Sequence, residues 1–554
     1  MKKIAILLFA LILFAGLAGA DQRTSRVDKL FAQWDKPGSP GCALAVIENG
    51  KTIYERGYGS ANLECSIPIT PERVFYVGSC SKQFTAMSVA LLAHQGKLSL
   101  DDDIRKYVPE MPDYGSPITV RQLIHHTSGL RDYLSLLGIA GLDFGSYHKS
   151  DVLELIARQK ELNFKPGDQY LYSNSGYFLL AVIVERVSGK SFREFTQENI
   201  FDPLGMIHTH FHDDYTMLIK NRASGYFPAD QGVFRNFIST FDCVGSGGLF
   251  TSVEDLYFWD QNFYAMRVGG PDVHQMTLTP GILNNGEKLD YAFGLTLGSY
   301  KGLQTVEHGG ALGGYRAEIL RFPDQKFSVI CLSNLGSFNP SKLSYQVADI
   351  YLADKFIKDK SAASFKPAEE RKFIQLPADE LKEKAGLYVQ MESGTLIQVA
   401  LKNEKLFLET MGLSFALGAV NEDEFYALEA PVSLVVKFEK PEGTKPGRLS
   451  LYQQEEKPVI FESIPILELS PEQLAGYAGD YFSDELQTTF RLAVKEGKLH
   501  FVHKNAPMGS LVPTLLDKFS VEDMALRFIR ESGQKISGFR LDAGRVKNLL
   551  FVKK

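Results

Sequence analysis

The chain has 554 residues, 44 % apolar and 23 % charged, the composition of a globular protein long enough for two or three domains, which excludes a disordered or fibrous chain. Sixty Lys and Arg against 66 Asp and Glu leave a formal charge of −6 with no polybasic run, so no nucleic-acid partner is expected. Five cysteines (Cys42, Cys65, Cys80, Cys243, Cys331), an odd number without a C-x-x-C pair, argue against a disulfide scaffold and read mostly as small buried hydrophobes.

In chain order, Lys2 and Lys3 precede the apolar run Ile4 to Phe14, and Ala18-Gly-Ala20 offers small residues for cleavage before Asp21. The pattern predicts a signal peptide over 1–20 and a periplasmic or secreted product with no membrane span after cleavage. The apolar run is shorter than the roughly 20 residues an anchor needs. Val27 to Trp34 reads as a helix, and Pro40 to Tyr54 as a hairpin turning at Asn49-Gly50. Helical segments dominate from Leu98 to Arg267, including a start at Asp101-Asp-Asp, an N-cap at Ser150, and the segments at Thr119, Ser175 and Ser252. Strands return at Tyr291 to Leu297, Gln304 to His308, Tyr315 to Phe322 and Lys326 to Leu332, before a helix at Ser344 to Tyr351. Strands at both ends around inserted helices predict one α/β domain over 21–355, with the two ends meeting in one sheet.

A Lys-, Glu-, Ala- and Pro-rich stretch over 356–382 reads as a linker. Beyond it Ala385-Gly386-Leu-Tyr388 is echoed by Ala478-Gly479-Asp-Tyr481, and Lys405-Leu406 by Lys498-Leu499, at a constant offset of 93 (386 to 479, 388 to 481, 405 to 498). Two small antiparallel β modules, barrel-like, are expected over 383–466 and 470–554.

The stretch Val74-Phe-Tyr-Val-Gly78-Ser79-Cys80-Ser-Lys82 passes from an apolar run into a helical pattern. Ser79 is therefore placed at a helix N-terminus, where backbone N–H groups lack intrahelical partners, with Lys82 one turn on and on the same face. That arrangement suits a nucleophilic serine with an amine to help take its proton. S-x-x-K also occurs at Ser146 and Ser532, both in settings that read as structural, and Ser79 alone reads equally well as an N-cap. Cys80 lies inside the motif but lacks the spacing to Lys82.

Two further stretches can supply a base and an oxyanion hole. Tyr172-Ser-Asn174 stands in a polar loop before a long apolar helix; a phenol beside an ammonium is eased toward use as a base, and an amide can orient lysine and substrate. His308-Gly-Gly310-Ala311 ends a strand in glycines that permit close backbone approach by a ligand. Each, alone, is as well explained by a capping turn or a hydrogen-bonded strand-end histidine.

Together, Ser79-x-x-Lys82, Tyr172-x-Asn174 and His308-x-Gly310 resemble, in order, the three elements of the class C type of β-lactamase and penicillin-binding serine hydrolases. Leu123-Ile-His-His-Thr127-Ser-Gly129-Leu130, Pro203-Leu-Gly-Met206 and Ser246-Gly-Gly-Leu also look like that family, and the resemblance covers about residues 27 to 355. It implies acyl transfer: Ser79 attacks a carbonyl, Lys82 and Tyr172 share the proton transfers, Asn174 holds the lysine, and the N–H groups of Ser79 and Ala311 take the oxyanion. Histidine replaces the family's strand lysine, which helps bind a substrate carboxylate. Arg316 is the nearest alternative cation, although a solvated strand arginine is the plainer account.

The implied function is an exported serine hydrolase acting on D-amino-acid peptides and amides, β-lactams or small acyl substrates. A carboxylesterase of the same type is the alternative, as is a non-catalytic protein that captures a penicillin or cell-wall fragment. The implied partner is a small-molecule or peptide substrate, and no cofactor is expected. His208-Thr-His210-Phe-His212 invites a metal by its alternation, but a surface strand is the simpler reading. The family's sheet order leaves open a bridge between Cys42 and Cys331.

Overall fold

Cys42-Ala-Leu-Ala-Val-Ile-Glu48 is apolar at every position but the last, a pattern a strand tolerates only when both of its faces are covered. In the structure, a computed structural model, this segment is β1 (Cys42–Glu48), buried along its length. It turns through Asn49 and Gly50, both at positive φ, into β2 (Lys51–Tyr58). The structure describes residues 22–554 apart from 143–144, 146, 358–371, 392–393, 411–412, 429–433, 443–445, 454–457, 466, 504–505, 522–523 and 532–534. The expected signal peptide, Ser146 and Ser532 lie outside the described residues.

Among the described residues the chain divides into two compact units. One comprises residues up to 133 with 143–157 and 164–361; the other comprises residues from 362 on with 134–142 and 158–163. In the first unit, helix α1 at 22–31 precedes β1, and α2 (Lys82–His94), α3 (Asn174–Ser188) and α4 (Val253–Ala265) belong to the inserted helical region. Strands β3 (Thr296–Tyr300), β4 (Leu303–Leu312), β5 (Tyr315–Phe322) and β6 (Phe327–Ser333) then lead to α5 (Pro340–Tyr351). The antiparallel sheet runs β3-β4-β5-β6-β1-β2, so the two ends of the domain meet where Leu44 faces Cys331 and Val46 faces Val329. Leu44, Val46, Leu320, Val329 and Cys331 pack with Val27 and Phe31 of α1 and with Val347 and Tyr351 of α5. Each fully buried side chain of this size contributes about 1.5–3 kcal/mol, which fixes the sheet that carries β4.

Local expectations fail where turn chemistry or a tertiary contact wins. The strand expected from Tyr291 starts only at Thr296, because Gly294 takes φ 70 and presses on α2: a Cβ there would lie 2.5 Å from the Lys82 carbonyl carbon. Tyr291 is thereby left in a loop beside the first turn of α2. The Asp101 to Asp103 run starts no α-helix; Asp103 caps a single 3-10 turn at Ile104–Lys106, and Asp101 and Asp102 pair with Arg121 and Lys106. Ser150 lies inside its helix, Lys149–Ala157, and the carboxylate of Asp151 accepts the His148 N–H at 2.9 Å instead. The five cysteines are free thiols, and Cys42 and Cys331 lie in the same core on adjacent strands.

In the second unit, part of the stretch read as a linker is a helix, α6 (Ala378–Lys384). Among the described residues it is followed by eight antiparallel strands that close into a barrel, the first, Gly386–Val389, pairing with the last, Val459–Ile464. The unit repeats as α7 (Pro471–Tyr477) and a second eight-stranded barrel, closed by Gly479–Ser483 on Val546–Lys553. The repeat is structural as well as textual. Tyr388 Oη donates to the Lys384 carbonyl at 2.9 Å, and its equivalent Tyr481 donates to the Tyr477 carbonyl at 2.7 Å, each tying the first strand to the helix before it.

Candidate active site

Ser79 is the second residue of a 3-10 turn, Gly78–Ser81, that runs directly into α2, so its N–H lies where helical backbone donors have no helical acceptor. Ser79 is partly exposed, while Lys82, the first residue of α2, is fully buried. Taking an ammonium out of water is costly unless its donors are satisfied. Lys82 Nζ donates to Ser79 Oγ at 3.1 Å, to Asn174 Oδ1 at 2.8 Å and to the carbonyl of Ser246 at 2.7 Å.

Asn174 opens α3. The N-cap serine, Ser173, makes no side-chain cap; a carboxylate from a distant loop does the work instead. Asp132, buried, accepts both the backbone N–H of Asn174 at 2.6 Å and its Nδ2–H at 2.8 Å. These two bonds turn Oδ1 of the amide toward Lys82, and the negative charge sits at a helix N-terminus, where it is favoured.

Tyr172 lies two residues before Asn174, with Lys82 Nζ 4.8 Å from its ring centroid. Its loop is set by His126, a non-glycine residue at φ 59. The His126 carbonyl accepts the Leu171 N–H, its Nδ1 accepts the Ser173 N–H at 3.1 Å, and its ring packs on Tyr172 with centroids 4.1 Å apart. Strained backbone of this kind persists only where the surroundings over-determine it.

Strand β4 supplies the remaining wall. His308 and Gly310 point to the face that carries the Ser79 turn, and a Cβ on Gly310 would lie 1.9 Å from the Val77 carbonyl oxygen and 3.1 Å from Ser79 N. The close approach that the glycines were expected to offer a ligand is thus made by the chain's own backbone. A Cβ on Gly78 would in turn lie 2.6 Å from Ala311 N, so the backbone of Ala311 lies against the turn that carries Ser79.

His308 is buried. Its Nδ1 is 2.6 Å from the Gly309 carbonyl and its Nε2 is 2.9 Å from Tyr291 Oη. Burial first, then the Lys82 charge, bring it down to about 4, so it is neutral at pH 7.

The other candidates are placed elsewhere. Arg316 lies opposite Ala311 in register and shares the sheet face of Glu318 and Leu320, the one under α1 and α5, away from His308. It is partly exposed and its Nη1 donates to the carbonyls of Gly313 and Tyr315, so its place on the far face argues against a role as a carboxylate anchor. Cys80 is fully buried, its thiol donates to the His308 carbonyl at 3.0 Å, and burial followed by the Glu318 charge push it up, so it is held as a thiol. His210 and His212 meet at 3.4 Å, and among the described residues no group of three or more His, Cys, Asp or Glu could hold a metal.

Sequence reasoning missed Asp132, His126, the Ser246 carbonyl and Tyr291. Three of these lie in or beside the stretches already singled out around Thr127 and Ser246, and that proximity is the one signal the sequence offered for them.

A helix-opening Ser-x-x-Lys turn, a Tyr-x-Asn loop and a His-x-Gly strand, on a sheet covered by helices, define a serine hydrolase of the β-lactamase fold. The Beta-lactamase family profile matches residues 27–351. Penicillin-binding protein 4* of Bacillus subtilis (strain 168) is 30% identical over 408 residues, covering 70% of this chain and 87% of that protein. The chain belongs to the β-lactamase family. A D-aminopeptidase of Gluconobacter oxydans (strain 621H) is 31% identical over 299 residues, 54% of this chain and 56% of that protein. An octameric penicillin-binding protein homologue from Pyrococcus abyssi superposes with a TM-score of 0.56 at 25% identity, covering 80% of this chain and 99% of its own.

Proposed function

We propose that the protein is an exported serine hydrolase that works through an acyl-enzyme on Ser79 and acts on D-amino-acid amides and peptides. The observation that carries the mechanism is the buried Lys82 ammonium held between Ser79 Oγ, Asn174 Oδ1 and the Ser246 carbonyl. In the forward step the Ser79 Oγ–H bond breaks, its proton passes to the Lys82–Tyr172 pair, which enters the step one proton short of ammonium plus phenol, and Oγ bonds to the substrate carbonyl carbon. The oxyanion falls to the N–H groups of Ser79 and Ala311. Collapse breaks the C–N bond, and the same pair returns the proton to the leaving amine. Water then repeats the sequence on the ester. Removing one oxyanion donor from such a site costs about 10²–10³ in rate.

The substrate class is supported by two findings. One is the alignment with a D-aminopeptidase; the other is the neutral His308 where a β-lactam or a terminal D-alanine carboxylate would call for a cation. Export is supported by the lysine, apolar run and small-residue pattern of residues 1–20.

Hydrolysis of D-alaninamide and L-alaninamide, measured beside Ser79→Ala, tests the reading. Preference for the D enantiomer by at least about 10² in kcat/KM, abolished in the variant, is expected. Equal rates on both enantiomers, or turnover surviving in Ser79→Ala, would contradict it.

A further inference from the structure

The mechanism above uses His308 only as a neutral wall, yet both of its nitrogens are engaged. A carbonyl oxygen can only accept, so Nδ1 at 2.6 Å from Gly309 O carries a proton. Nε2, 2.9 Å from Tyr291 Oη, could be protonated as well only by burying a second cation beside Lys82. The Tyr291 hydroxyl also meets Tyr177, whose own proton goes to the Ile124 carbonyl at 2.9 Å. An unprotonated Nε2 at 2.9 Å would otherwise face an oxygen lone pair, so Tyr291 donates and Nε2 accepts.

Tyr291 is itself held in place. It is buried, its carbonyl accepts the Gly281 N–H and meets His125 Nδ1 at 3.2 Å, and its ring packs on His126 with centroids 4.6 Å apart. The groups that face His308 are Lys82 from α2, Tyr172 from the loop before α3, Tyr291 from the loop before β3, and the Cys80 thiol on its carbonyl. Glu307 and Gly309 alternate to the other face of β4, as does Glu318 on β5.

We propose that Tyr291 is a specificity-determining positioning residue: by donating to His308 Nε2 it fixes the Nδ1–H tautomer and leaves the wall of the site without an N–H or a cation to offer a substrate carboxylate. This rests on the proposed amidase reading and narrows it. The substrate group that meets β4 is uncharged, and a leaving group ending in a free carboxylate is disfavoured relative to its carboxamide.

The test has a spectroscopic and a kinetic arm, both on the full chain. In ¹⁵N-histidine NMR, with His308→Gln giving the assignment, wild-type His308 should be the Nδ1–H tautomer and stay neutral to about pH 5. In Tyr291→Phe the neutral form loses its donor and should protonate at higher pH. In the kinetic arm, D-alanyl-D-alaninamide and D-alanyl-D-alanine differ only in the charge of the leaving group. Wild type should prefer the carboxamide by at least about tenfold in kcat/KM at both pH 8 and pH 5.5. In Tyr291→Phe that preference should shrink at pH 5.5.

An Nε2–H tautomer in wild type, or a His308 titrating near its ordinary value, overturns the proposal even if Tyr291→Phe does not fold. So does a Tyr291→Phe protein with both the titration and the substrate ratio unchanged. If neither dipeptide is cleaved while wild-type His308 is the Nδ1–H tautomer, the substrate reading fails and the Tyr291 assignment stands.

Discussion

Gly310→Ala probes the contact on which the oxyanion side of the site depends. The added Cβ would sit 1.9 Å from the Val77 carbonyl oxygen, 2.9 Å from the Val77 carbonyl carbon and 3.1 Å from Ser79 N. All three are backbone atoms, which cannot swing aside as a flexible side chain would. Restoring a tolerable separation of about 3.0 Å means moving β4 and the nucleophile turn apart by roughly 1 Å, and overpacking of this kind costs about 1–3 kcal/mol. The rate suffers more. A displacement of about 1 Å in a reacting geometry costs about 10²-fold, and here it falls between the Ser79 and Ala311 N–H groups proposed to hold one oxyanion.

Gly309→Ala is the matched control, since its nearest atom is the flexible Glu318 Oε2 at 3.2 Å, on the far face. Urea titration gives the stability of each variant, and single-turnover acylation by the p-nitrophenyl ester of D-alanine gives the rate. Gly310→Ala should acylate at least about 10²-fold more slowly than wild type and Gly309→Ala within a few-fold of it. Gly310→Ala acylating within threefold of wild type, or the two variants being equally impaired, would refute the argument that this glycine sets the oxyanion geometry.

Asp132→Asn removes the charge that accepts two Asn174 donors, and should cost about 1.5–3 kcal/mol of stability with a tenfold or greater loss of kcat at little change in KM; a variant with wild-type kcat would show that Asn174 is oriented without it. Cys80→Ala loses only a weak donor to the His308 carbonyl, so activity should be retained and thiol reagents should not inactivate the native enzyme through this position; loss of turnover on Cys80→Ala would reopen the cysteine as nucleophile. His125 and His308 are both held at about 4 by burial first, while the unfolded chain takes up its histidine protons near 6.5. Their contribution to stability is therefore complete above about pH 6.5 and lost as pH falls toward about 4, by roughly 1.4 kcal/mol per pH unit for each. Urea midpoints followed from pH 7.5 to 5 should show a shallower decline in His308→Gln than in wild type, and identical slopes would remove His308 from that account.

What was legible in the sequence is what rests on local pattern. The turn at Asn49-Gly50, the apolar strands on either side of the helical insert, the helix after Tyr172-x-Asn174 and the 93-residue repeat all announce themselves in periodicity or in turn residues. Ser79, Lys82, Asn174, His308 and Gly310 were found because three short motifs occur in one order, and the fold brings them together. The partners that orient them were not legible, because they are defined by burial. Nothing in Leu130-Arg-Asp132 says that its carboxylate will cap a helix 42 residues on, and nothing in Tyr291 says that it will leave its strand and meet a histidine. The same blindness made Arg316 a candidate, since only the register of β4 with β5 shows which face it takes.

The central claim, an acyl-enzyme on Ser79, is tested most directly by intact-protein mass spectrometry of wild type and Ser79→Ala, quenched during turnover of the D-alanine p-nitrophenyl ester. The account predicts one D-alanyl adduct on wild type, mapping to the peptide that carries Ser79, and none on the variant. Turnover by Ser79→Ala at the wild-type rate, or an adduct that maps to another residue, would contradict it.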